Sequence, residues 1–338
     1  MSSIADTTPN ATSPPSAAGA GGFRYDKAGK AFASRARNIF NRGSLMRRLS
    51  LALIALVGGV AVAAWFSPIE ILNGIAKFGD YSVNQNIPYA PGPRHGLDVY
   101  QPAGPGTKRP VAVFFYGGSW EDGNKSDYRF VGAALANRGI LTIIPDYRVY
   151  PQVRFPAFLK DGAQAVRWAR EHAAEFGGDP DRIVLVGHSA GAHIAAMLTL
   201  DKKWLAEVGL DYRRDIKGMV GLAGPYDFLP LRSETLKKIF GPEAQRAKTQ
   251  PINFVDGRAA PVFLAAGRND TTVDPGNTSR LSARIEARGG QATTKLYPGV
   301  DHRTIIGAFA APLRLLAPSL PDTVAFINDV TGSREAKP

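Results

Sequence analysis

The stretch V-L-V-G-H-S-A-G-A-H occupies residues 184–193. Three apolar residues lead into Gly187. A serine then sits between two glycines, and a run able to open a helix follows. A serine placed only for packing would not need glycines on both sides. The pattern G-x-S-x-G is weak alone. Between an apolar strand and a helix it describes a tight, strained turn that lifts the serine hydroxyl out of the sheet. Gly187 and Gly191 are then small because the turn packs against its own strand and helix. Ser189 becomes the candidate nucleophile, at the strand ends where ligands bind in open α/β sheets.

Working outward, the chain alternates between two periodicities. Residues 97–102, 111–118, 140–147, 182–187, 218–224, 261–267 and 292–299 read as strands, most of them near-continuous apolar runs. Residues 126–138, 156–176, 190–200 and 276–289 read as helices. In the second of these, Phe158, Gly162, Ala165, Val166 and Ala169 share one face. Strands alternating with helices predict an α/β fold with a mostly parallel central sheet and helices on both faces. No internal repeat is present.

A serine hydroxyl needs a base within hydrogen-bond reach. Of the five histidines, His95 precedes the strand at 97 and His172 lies on a helix, while His188 and His193 flank the turn in packing positions. His302 follows the strand at 292–299 in P-G-V-D-H-R-T, on the same edge as Ser189, and is the candidate base. An acid must fix its tautomer. Asp270 emerges after the strand P-V-F-L-A-A-G and is the leading candidate. Asp274 and Asp301 are the rivals, and Asp301 would have to bend back onto its neighbour's ring. The order Ser, Asp, His is that of an α/β-hydrolase. The developing oxyanion needs backbone N–H donors. Ala190 supplies one. Gly118 and Ser119, in the loop Y-G-G-S-W (116–120), supply the others. Such a mechanism uses no metal and no organic cofactor.

Together these pieces resemble the α/β-hydrolase esterases with an H-G-G-G-W oxyanion loop, the group that includes hormone-sensitive-lipase-like and feruloyl-esterase-like enzymes. The matching segments are YGGSW (116–120), DYR with YP after it (146–151), GGDPDRI (177–183), GHSAGAH (187–193), GPYD (224–227), GRND (267–270) and DH (301–302), spread over residues 96–330. The set is also similar to isoprenylcysteine methylesterases, which are membrane-anchored, and to kynurenine formamidases. The resemblance implies a serine carboxylesterase acting on a small-molecule ester, with Ser189, Asp270 and His302 at the triad positions and Gly118, Ser119 and Ala190 at the oxyanion positions. An amidase or formamidase on the same triad, and a non-catalytic binding protein on a hydrolase fold, are the alternatives. One departure stands out. Tyr116 occupies the place of the leading histidine, whose side chain braces the loop. Residues 201–215 and 226–255 are candidates to roof the cleft, with Trp204, Tyr226, Phe228, Leu229 and Phe240 able either to line it or to fill the core.

The N-terminal third has another character. Of 338 residues, 44% are hydrophobic and 21% charged, enough to bury a large core, and there is no cysteine for disulfides or thiolate chemistry. The formal charge is +12, and half of it lies in the first 48 residues, which carry eight basic residues against Asp6 and Asp26. No basic, aromatic-interleaved surface marks the folded part, so nucleic acid is not an expected partner. Residues 1–48 read as a disordered and basic segment. Residues 49–69 are uncharged, and as a helix would span about 31 Å, close to a bilayer's hydrocarbon thickness. They read as a single transmembrane anchor, with Arg47 and Arg48 at the entrance and Trp65 and Phe66 at the exit. A buried core helix and a cleaved signal peptide, for which Ala61-Val62-Ala63 would be the site, are the alternatives. The positive-inside rule predicts a cytoplasmic N-terminus and a catalytic domain on the far, periplasmic or extracellular, side. Residues 70–95 read as a linker, 96–330 as the hydrolase domain and 331–338 as a tail. The sequence sets no oligomeric state.

Overall fold

The computed structural model describes residues 46, 47, 50, 51, 53 and 68–332. Nearly all of the basic segment 1–48 and of the expected anchor at 49–69, together with residues 333–338, lie outside them. Among the described residues, no helix is long and apolar enough to cross a membrane.

Eight strands form one sheet in the order β1-β2-β4-β3-β5-β6-β7-β8. They are β1 Tyr81–Pro88, β2 Gly96–Pro102, β3 Arg109–Phe115, β4 Leu141–Pro145, β5 Gly178–His188, β6 Gly218–Leu222, β7 Val262–Gly267 and β8 Ala292–Tyr297. Strands β3 to β8 run parallel, while β2 is antiparallel to both β1 and β4. The expected mostly parallel sheet is therefore present. Chemistry follows position. Strands β4, β6 and β7 are buried along their whole length, as strands covered on both faces must be, and their sequences are apolar runs interrupted only by Thr142. β8, at the edge, alternates exposed and half-buried residues.

The helices are α1 Pro68–Ala76, α2 Arg129–Ala136, α3 Ala157–His172, α4 Ala190–Leu200, α5 Lys202–Ala206, α6 Glu234–Phe240, α7 Gly276–Ala287, α8 Thr304–Gly307 and α9 Ser319–Val330. All five apolar-face residues expected in α3 are buried. Helix α4, which starts directly after Ser189, is buried at all eleven positions and has no polar face to solvent.

The expected linker at 70–95 is corrected. It contains α1 and β1, and β1 is hydrogen-bonded to β2 from Tyr81–Pro102 to Pro88–Gly96. Its sequence, Y-S-V-N-Q-N-I-P, is polar because it is an outer edge strand with mostly exposed side chains, so the apolar-run criterion passes over it. Pro68 opens α1, a position proline tolerates because the first helical N–H groups have no intrahelical acceptor. Leu72 and Ala76 of α1 pack on the core. Residues 68 and 69 thus belong to this helix, which shortens the uncharged run before it to residues 49–67.

Candidate active site

Strand β5 ends at His188 and α4 begins at Ala190. Ser189 makes the whole turn, at φ 54° and ψ −122°. A non-glycine residue held there costs about 1–3 kcal/mol and persists only where surroundings fix it. Here the Ser189 N–H donates to Leu222 O at 2.9 Å, tying the turn to the end of β6. The flanking glycines are required by close approach. A Cβ on Gly191 would lie 2.0 Å from Phe115 O, and one on Gly187 would lie 2.3 Å from Gly191 O.

The structure brings Ser189, His302 and Asp270 together. His302 Nε2 is 3.0 Å from Ser189 Oγ, and His302 Nδ1 is 2.8 Å from Asp270 Oδ2. These residues come from the ends of β5, β8 and β7, so the parallel sheet supplies the convergence. The Asp270 side chain is fully buried. Its Oδ1 accepts from the N–H groups of Thr272 and Val273 at 2.8 and 2.9 Å. Burial pushes its carboxyl up, but hydrogen bonds from His302, Val273 and Thr272 outweigh that and hold it below the usual carboxylate range. The rival acids are engaged elsewhere. Asp274 accepts from Gly276 N–H and pairs with Arg280, and Asp301 accepts from the N–H groups of Arg303 and Thr304 at the start of α8.

The loop after β3 runs through three successive positive φ values, 137° at Gly118, 54° at Ser119 and 59° at Trp120. It is pinned by Glu121 and Asp122 N–H donating to Gly118 O, and by Tyr150 N–H donating to Trp120 O at 2.8 Å. A Cβ on Gly118 would lie 2.1 Å from Asp122 O, so only glycine fits. The loop lies against the turn, since a Cβ on Gly117 would come within 3.0 Å of Ser189 Cβ. Among the described residues, the N–H groups of Gly118 and Ser119 have no acceptor. The Ala190 N–H opens α4, where no residue within the helix can accept it. Three backbone donors are therefore available around Ser189.

Tyr116 explains the departure from a leading histidine. Its hydroxyl donates to Asp146 Oδ1 and accepts from Arg94 Nη2, both at 2.9 Å. Arg94 also donates to Gly123 O at 2.6 Å, and Tyr147 Oη donates to Tyr116 O at 2.7 Å. The ring stacks on Tyr147 with centroids 4.5 Å apart. The tyrosine braces both ends of the loop. Tyr116→Phe should leave the half-buried Arg94 Nη2 and Asp146 Oδ1 each short of one partner and lower stability by about 1–3 kcal/mol. Urea denaturation measures this, and an unchanged midpoint would mean the hydroxyl carries no structural load.

Sequence reasoning gave His188 and His193 packing roles, and the structure adds detail. His188 Nε2 donates to His302 O at 3.0 Å and so steadies the backbone of the candidate base. His193 Nε2 donates to Thr249 O at 2.8 Å. Burial, and secondarily the His302 ring nearby, push His188 down to about 3, while burial pushes His193 down to about 4. Both stay neutral in the fold but take up a proton near pH 6.5 when unfolded. Below that pH the unfolded chain binds more protons, so stability present at neutral pH is lost as pH falls from about 6.5 toward the folded values. Each histidine contributes up to about 1.4 kcal/mol per pH unit. The unfolding free energy should drop by about 2–3 kcal/mol between pH 6 and pH 5. Equal values at the two pH values would contradict these buried neutral rings.

Of the residues expected to line or roof the cleft, Trp204, Tyr226 and Phe240 are buried in the core. Phe228 is half-buried and stacks on Trp120 at 5.9 Å, and Leu229 is exposed. Arg94, Asp146 and Asn277 were not singled out individually from sequence. Asn277 Oδ1 accepts from the N–H groups of Tyr226 and Asp227 and holds the loop after β6. Such residues act on backbone groups far away in the chain, and a single sequence carries no local signal for that.

A family model described as BD-FAE matches residues 97–285, more than half of the chain. The chain belongs to the BD-FAE family. This BD-FAE protein is 32% identical over 245 residues to the isoprenylcysteine alpha-carbonyl methylesterase of Arabidopsis thaliana, covering 67% of this chain and 57% of the relative. It is 26% identical over 228 residues to the kynurenine formamidase of Salmo salar, covering 65% of this chain and 75% of that one. Among solved structures, esterase 2 of Thermogutta terrifontis in its apo form superposes with a TM-score of 0.62 at 25% identity, covering 76% of this chain and 97% of that one. The BD-FAE chain thus has the α/β-hydrolase fold. It spans less than two thirds of the length of the Arabidopsis protein.

Proposed function

We propose that the protein is a membrane-anchored serine carboxylesterase. The observation that carries this reading is the continuous hydrogen-bonded line from Ser189 Oγ through His302 to the buried Asp270 carboxylate. Ser189 attacks the carbonyl carbon of the ester as His302 Nε2 takes its proton. The N–H groups of Gly118, Ser119 and Ala190 receive the oxyanion. His302 returns the proton to the departing alcohol, leaving an acyl-serine. Water, deprotonated by His302, then releases the acid and restores the hydroxyl. Asp270 holds the imidazole in the tautomer with Nδ1–H and stabilises the imidazolium. Names of relatives support the class, and the Arabidopsis relative points to a carboxyl methyl ester as the substrate type. Turnover of matched aryl acetates and aryl formamides tests the reading. Acetates should be cleaved faster, and a strong preference for the formamide would make the protein a formamidase on the same residues.

The anchor in this reading is residues 49–67. Nineteen residues at about 1.5 Å each give about 28 Å, still enough for the hydrocarbon layer. Arg35, Arg37, Arg42, Arg47 and Arg48 lie before the run, whereas Glu70 precedes Lys77 after it. This asymmetry supports a cytoplasmic N-terminus and a domain on the far side. In a bacterial cell, a reporter active only in the periplasm should be active when fused after residue 95. Activity of a cytoplasm-only reporter at that junction would overturn the topology.

A further inference from the structure

Helix α1, helix α2 and the segment after α8 enclose a groove of about 500 Å³. Leu72, Phe130, Ala133 and Phe309 line its floor. Its rim is unusual. Phe78, which lines the groove, is 89% exposed, Ile75 beside it is 38% exposed, and next to Arg314 the side chains of Leu315 and Leu316 are 100% and 55% exposed. The groove lining includes Arg138 and Arg314, both exposed, and no acidic residue. Large apolar side chains turned to water beside basic ones are costly for a free surface and suit an interfacial one. The chain adds a second observation. α1 is the element that directly follows the uncharged run 49–67, so the groove is built on the first helix beyond that run.

We propose that this face docks on the lipid bilayer, with Phe78, Leu315 and Leu316 entering the headgroup and upper acyl region and Arg314 meeting anionic headgroups. The inference extends the reading of residues 49–67 as an anchor and rests on it for its choice of occupant. An anchored domain without such a face would tumble at the end of its tether. With it, the domain holds one orientation on the membrane.

The chain has no cysteine, so single cysteines report without background. The full-length protein is reconstituted into vesicles of phosphatidylcholine with a minority of phosphatidylglycerol, spin-labelled one position at a time as Phe78→Cys, Leu315→Cys, Val57→Cys and, on exposed Lys295 of β8, Lys295→Cys. Collision with oxygen, which partitions into lipid, is compared with collision with a water-soluble nickel chelate. Labels at 78 and 315 should favour oxygen over nickel, reversing the order seen at 295. If 78 and 315 behave like 295, docking is wrong, even where the label at 57 favours oxygen and the anchor stands. If 57 favours nickel, the anchor reading fails, and oxygen preference at 78 and 315 would still support docking. Shielding of 78 and 315 from both probes would mean a second protein copy covers the face, and would overturn the proposal.

Discussion

Ser189→Ala should lower turnover of p-nitrophenyl acetate by about 10⁴–10⁶-fold while the protein stays folded. The size follows from the geometry. Ser189 Oγ sits 3.0 Å from His302 Nε2, so in the proposed mechanism removing the oxygen removes the attacking atom and leaves only the backbone donors and substrate binding. The fold should survive because the strain at this turn comes from the backbone and Cβ, which alanine keeps. The lost hydrogen bond costs about 1 kcal/mol. Circular dichroism and the urea midpoint check the fold, and initial rates check the activity. Turnover near that of the unaltered protein would eliminate the serine mechanism.

Asp270→Asn should cost about 10⁴-fold in kcat, and the reason is a tautomer. Asp270 Oδ1 accepts from two backbone N–H groups, those of Thr272 and Val273. An asparagine keeping those bonds must place its carbonyl oxygen there and its NH₂ toward His302 Nδ1. That nitrogen then has to accept, which moves the imidazole proton to Nε2 and sets a donor against Ser189 where a base is needed. Asp274→Asn should change the rate little, because Asp274 is largely exposed and pairs with Arg280 on the surface. If the Asp274 variant were the more damaged of the two, the acid assignment would move there.

The central part of the fold was legible because its signals are local. Buried parallel strands such as Val262–Gly267 are apolar without interruption, and the glycine pair around Ser189 records a close approach that the structure traces to Phe115 O and Gly191 O. The candidate site was legible because each of its residues follows a strand end, and parallel strands carry those ends to one edge. What escaped has a physical pattern of its own. β1 is a polar edge strand whose identity depends on pairing with β2, and α1 is a nine-residue helix recognisable only by its packing. Tyr116 was read only as standing where a loop-bracing histidine is expected, and its partners Arg94 and Asp146 sit 22 and 30 residues away, a distance no periodicity bridges. Trp204, Tyr226 and Phe240 were open between cleft and core because burial of an aromatic side chain is a tertiary property. The structure puts all three inside.

The most direct test of the account is labelling of the full-length protein with a fluorophosphonate, followed by peptide mapping. A phosphonate reacts only with a serine oxygen that is deprotonated as it attacks and whose oxyanion is received by placed donors. The account predicts one adduct, on Ser189, absent from Ser189→Ala and formed far more slowly in His302→Ala. An adduct on another residue, or labelling undiminished in Ser189→Ala, would contradict it.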